Sequence, residues 1–127
     1  MPLRILLVAH GFVTLAAALV LAVAPGFIPH VVGIQLPPQA YLVAYLLAGA
    51  EFGFAALSFG ASRLTDPQAL RVIVWSCLAF HGASAVLELY AYTQGIGAAI
   101  LGNVAARIAI ILVFAFVSRS SVLPRLS

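Results

Sequence analysis

Lysine is missing from this chain, and acidic residues nearly so: Glu51, Asp66 and Glu88 are the only three. Charged residues make up 7% of the 127 positions and hydrophobic ones 65%, with a mean hydropathy of +1.19. A soluble domain is about a quarter charged. This composition therefore excludes a water-solvated fold and calls for lipid as solvent. A single cysteine, Cys77, excludes an internal disulfide. It lies in an apolar run and is expected to pack as a small hydrophobe. No Gly-rich phosphate loop and no Ser–His–Asp order is present. No Cys/His/carboxylate spacing resembles a zinc or di-iron set, so neither a metal nor a cofactor is expected. The net charge of +3 comes from dispersed arginines, which read as topology signals rather than a nucleic-acid surface. Abundant Ala without Lys points to a GC-rich bacterial genome.

What the chain has instead is four apolar stretches, at about 3–24, 40–60, 70–92 and 98–117. Each reaches the ~20 residues that cross the hydrocarbon core as a helix, and only helices satisfy their backbone groups there within one segment. All seven prolines lie outside or at the ends of these stretches. Arg4 precedes the first, Arg63 and Arg71 bracket the second connection, and Arg119 and Arg125 follow the fourth. The first and third connections carry no Arg. By the positive-inside rule both termini are cytoplasmic. The fold class expected is all-α: one domain forming an integral membrane four-helix transmembrane bundle, N-in and C-in, in a bacterial inner membrane. Ala22-Val23-Ala24 imitates a signal-peptide cleavage site. Pro25 would follow the cut, however, and the apolar stretch is longer than a signal core, so this is read as an uncleaved first span.

The connections carry their own signals. Pro25–Gln39 holds Phe27, Ile28, Val31, Val32, Ile34 and Leu36 and is too apolar for a free loop. It is expected to lie along the outer interface or to cap the bundle. Thr65-Asp66-Pro67 reads as an N-cap followed by proline in the first turn of span three. The short, Gly-containing segment Thr93–Gly97 makes spans three and four antiparallel neighbours. Tyr41, Tyr45, Tyr90 and Tyr92 fall near outer span ends and Trp75 near an inner one, as interfacial aromatics do.

Five polar residues remain inside the apolar stretches: His10, Glu51, His81, Glu88 and Arg107. Helical side chains lean toward their own N-terminus, so Glu51 and Arg107 lean outward and Glu88 inward. All three converge in the outer half, and Asn103, one turn from Arg107, can join them. One arginine facing two carboxyls predicts an ion pair, with a Glu51–Arg107 pair and Glu88 nearby as the working arrangement. His10 and Thr14 share one face, and His81 and Glu88 another, so a polar seam is expected to run from the carboxyls past His81 toward His10. Gly49 and Gly53 have the spacing that permits close helix approach, with Ala44, Ala48, Ala55 and Ser58 continuing a small-residue stripe. Gly82, Ala85, Ala105 and Ala106 are given similar roles on spans three and four.

Charges inside a bilayer mark functional sites by default; the alternative is an ion pair that only fixes helix register. Three functions fit. The first is binding of a lipophilic molecule (isoprenoid, quinone or carotenoid), or service as an accessory subunit of a membrane complex, with His10, Asn103, Tyr45 and Thr14 as ligand contacts. The second is acid–base chemistry on a lipophilic substrate, such as isomerisation or cyclisation. There Glu51 or Glu88 is the acid/base, Arg107 the charge stabiliser and His81 a proton partner. The third is proton-coupled transport, disfavoured because no span is broken by an internal Pro or Gly pair. Haem between His10 and His81 is a further alternative, as are relay or structural roles for the two rings. Homo-oligomer formation is left open.

The closing Ala24-Pro25-Gly26 of span one, Val32-Gly33-Ile34, Gly49-Ala50-Glu51-Phe52-Gly53 and the Arg63…Asp66…Arg71 connection resemble the small four-helix bacterial inner-membrane proteins of the DoxX-like kind. The resemblance implies an inner-membrane bundle without established chemistry, and within it Glu51 is the position of first interest. His10 and His81 lie outside the pattern.

Overall fold

In the computed structural model, residues 2–119 are described. Arg125, counted above among the topology signals, lies outside them. The described residues form five α-helices and no strand: α1 (Pro2–Val23), α2 (Phe27–Val31), α3 (Tyr41–Ala61), α4 (Pro67–Thr93) and α5 (Ile100–Ser118). A single 3₁₀ turn, Pro38–Ala40, leads into α3. The four long helices are each apolar and long enough to cross a membrane.

Helix ends follow local chemistry. Asp66 accepts a hydrogen bond from Gln68 N at 2.9 Å and Pro67 occupies the first turn, so α4 begins at the cap read from sequence. At the other end of α4, Gly95 takes φ 99°, a left-handed conformation that favours glycine. Gly95 N bonds Tyr92 O and Ile96 N bonds Ala91 O, closing the helix as a Schellman turn. The chain then turns back into α5, antiparallel to α4.

Each long helix buries one narrow stripe. On α3 it is Ala44, Ala48, Glu51, Ala55 and Ser58, spaced alternately by four and three residues. On α1 it is Leu3, Leu7, His10, Gly11, Thr14, Ala18 and Leu21. The opposite faces are apolar as well: Phe12, Leu46, Val86 and Leu112 are each more than 60% exposed.

Packing divides the bundle into two close pairs, α1 with α3 and α4 with α5, which touch each other more sparingly. Among the described residues, the Cα traces of α1 and α4, and those of α3 and α5, nowhere come within 8 Å. At the arginine-bearing end the pairs are sealed by Leu3, Leu7, Ala61, Val74, Cys77 and Phe114. Arg4 Nε also donates to Ser62 O there, tying the start of α1 to the end of α3. Toward the far end the pairs leave space between them. The connection between α1 and α3 covers it: Ile28 of α2 packs on Leu21, Ala44 and Ala48.

The glycine expectation needs correcting. A Cβ added at Gly49, Gly53 or Gly82 would meet nothing within 4 Å. Two residues along a helix is a rotation of about 200°, so Gly49 and Gly53 face away from Glu51 and its stripe. The close approach is at Gly11, where an added Cβ would lie 2.8 Å from the Phe59 ring.

Candidate ligand-binding site

Four of the five intrahelical polar residues and two neighbours form one hydrogen-bonded chain across all four long helices. Glu88 Oε1 accepts from Arg107 Nε and from Asn103 Nδ2, each at 2.8 Å. Arg107 Nη1 lies 3.4 Å from His81 Nδ1. His81 Nε2 lies 2.9 Å from His10 Nε2, and His10 Nδ1 lies 2.8 Å from Ser58 Oγ.

Donor capacity fixes the direction of this chain. A guanidinium has no acceptor, so Arg107 donates and His81 Nδ1 accepts. The proton of a neutral His81 then sits on Nε2 and is donated to His10 Nε2. His10 in turn carries its proton on Nδ1 and donates to Ser58. Both rings are neutral, and each tautomer is set by the arginine.

Aromatic rings wall the chain. Phe114 meets His10 edge-on with centroids 5.2 Å apart. Phe80 packs edge-to-face on His81 and stacks on Phe54. The Arg107 guanidinium carbon lies 5.7 Å from the Phe80 centroid, a cation–π contact that shelters the charge.

Arg107 therefore pairs with Glu88, not Glu51. The reason is adjacency: the Gly95 turn makes α4 and α5 close neighbours, while α3 stands diagonally across from α5. Glu51 is left 7% exposed and makes no hydrogen bond or ion pair to any described residue. It faces a cavity of about 250 Å³ together with His10, Thr14, His81, Glu88 and Arg107. A second cavity, about 540 Å³, lies beneath the connection between α1 and α3. Val32, Ile34, Leu36, Val43 and Leu47 are among its apolar walls. Leu21, Ile28, Leu47, Asn103 and Ala106 line both cavities, so they adjoin.

Of the sequence-derived site residues, His10, Thr14, Glu51, His81, Glu88, Asn103 and Arg107 all reach this cavity. Tyr45 does not. It is 48% exposed on the outside of α3 and lines neither cavity. Tyr45 lies off the buried stripe of α3. Ser58, Phe80 and Phe114 were not marked as site residues. Ser58 lies two turns from Glu51 and Phe114 two turns from Arg107, so helical spacing places each on the face of its charged neighbour.

Among the described residues no group of three or more His, Cys, Asp or Glu could hold a metal ion. The haem alternative also meets a geometric objection. The two nitrogens that would ligate opposite faces of iron are bonded to each other at 2.9 Å. They would have to part by two metal–nitrogen lengths.

No family model, no curated protein and no solved structure matches the chain.

Proposed function

We propose that this is a multi-pass protein of a bacterial inner membrane, with both termini cytoplasmic, that binds a lipophilic molecule between its two helix pairs. An apolar surface on all four long helices supports immersion in lipid. Arg4, Arg63, Arg71 and Arg119 at one end of the bundle support the orientation. Membership of the DoxX-like proteins, which the sequence motifs resemble, is part of the same proposal.

The observation that carries the binding reading is the joining of two unlike cavities. A large apolar chamber at the outer end leads into a smaller polar one, where a buried carboxyl has no partner. Binding sites for small molecules combine apolar walls with a few convergent polar groups. The ligand's apolar part occupies the outer chamber and its polar end meets Glu51. Acid–base catalysis on the bound molecule is the second reading. It is favoured by the placing of Glu51, a carboxyl, in the same cavity as Arg107.

The test is native mass spectrometry of the protein taken from its own membranes into nanodiscs. A small-molecule adduct in one-to-one ratio is expected. Ala106→Phe, which fills the junction of the two chambers, should abolish it. Wild-type protein free of any adduct, and unchanged by Ala106→Phe when lipophilic probes are added, would overturn the reading. Turnover of the identified ligand would then move the assignment from binding to catalysis.

A further inference from the structure

We infer that the ligand presents a primary ammonium group to Glu51, as a long-chain amine or an amine-headed lipid does. This deepens the binding reading and rests on it. Three features of the polar chamber select the head group. First, the one guanidinium is already matched: Arg107 is ion-paired to Glu88 and also engaged with His81. An anionic head would find its countercharge taken.

Second, the carboxyl of Glu51 has no protein partner and is more than nine-tenths buried, facing the cavity. With both histidines neutral and Arg107 committed to Glu88, Glu51 has no countercharge of its own in the cavity. Ionising it there without a partner is costly, and a cation in the cavity removes that cost.

Third, the remaining polar wall mostly accepts hydrogen bonds. Thr14 Oγ1 donates its only proton to the backbone, within 3.0 Å of His10 O and 3.2 Å of Gly11 O. That leaves the hydroxyl only lone pairs for the cavity. Asn103 already donates to Glu88, and its amide oxygen remains an acceptor. An ammonium brings three donors on a compact centre. It can span Glu51 and Thr14 while its chain runs out past Leu21, Leu47 and Ile28 into the apolar chamber.

The test holds the tail constant and varies the head. Dodecylammonium, dodecyltrimethylammonium, dodecanol and dodecanoate are each added to the full-length protein in phosphatidylcholine nanodiscs. One-to-one adducts are counted by native mass spectrometry, against empty nanodiscs as the partition control. Dodecylammonium should bind about tenfold or more tightly than dodecanol, the scale of one charge-assisted hydrogen bond. The trimethylated head, which has the charge but no donor, should fall between them. In Glu51→Gln the preference should shrink to within about twofold, while dodecanol still binds, showing the cavity intact.

Equal binding of all four heads, or preference for dodecanoate, overturns the ammonium inference and leaves the lipophilic site standing. Binding of none overturns both. Repeating the titration in phosphatidylethanolamine separates the sources. Loss of the dodecylammonium adduct there assigns a membrane lipid as the natural ligand, and its retention assigns a free amine.

Discussion

The side chains of His10 and His81 meet at 2.9 Å although the helices that carry them nowhere bring their backbones within 8 Å. This contact bridges the two helix pairs through the centre of the bundle. A double-mutant cycle of His10→Leu and His81→Leu should therefore give a coupling of about 0.6–1.7 kcal/mol, the range for polar contacts between membrane helices. Unfolding in bicelles by steric trapping measures it. Strictly additive effects would show that the rings do not meet.

The arginine sets both tautomers. Nitrogen-15 spectra of labelled histidine should show His81 protonated on Nε2 and His10 on Nδ1. In Arg107→Leu, where His81 Nδ1 loses its donor, each ring should show a mixture of tautomers. Unchanged spectra in that variant would break the proposed direction of the chain.

Much of this site could be read from the sequence. Side-chain lean and helical spacing bring Glu51, Glu88, Asn103 and Arg107 to one cavity, and the shared face of His81 and Glu88 anticipates the seam. Which carboxyl takes Arg107 depends on helix adjacency. The turn at Gly95 encodes that adjacency, but spacing along a single helix does not. The His10–His81 contact depends on how two diagonal helices rotate, and no periodicity states it. Gly49 and Gly53 misled because a spacing of four says that two residues share a face without saying which face.

The two glutamates should respond differently. Arg107→Leu leaves Glu88 buried without its partner and should cost about 3–5 kcal/mol. Adding Glu88→Leu should restore most of that loss. Glu51→Gln, which breaks no bond within the protein, should change stability by no more than about 0.5 kcal/mol. The same unfolding assay reads all four proteins. A large loss for Glu51→Gln would mean that this carboxyl holds the bundle together.

Glycines on opposite faces of the α1/α3 pair should also differ. Gly11→Ala drives a methyl group into the Phe59 ring and should destabilise by about 1–3 kcal/mol, as overpacking does. Phe59→Leu should relieve part of it. Gly53→Ala meets open space and should be neutral or stabilising, since alanine is the better helix former by about 1 kcal/mol.

Orientation can be read by chemical labelling. In a Cys77→Ala background, a cysteine at Thr65 should react with a membrane-impermeant maleimide only in inside-out vesicles. A cysteine at Gln35 should react only in intact cells. The reverse pattern would invert the topology inferred from the arginines.

The Gly95 turn also bears on how the chain is made. An arginine at the middle of a lone helix raises the cost of insertion by about 3 kcal/mol. Glu88 and Arg107 sit on consecutive helices joined only by residues 94–99. In the membrane topology proposed above, they can therefore leave the insertion machinery as one hairpin, with the charges already facing each other. Glu51 has no such companion on α1 or α3, and its helix must enter the bilayer before α4 and α5 exist. In that topology the order of synthesis commits Arg107 to the later carboxyl, and the earlier one arrives in the finished protein with its position still open.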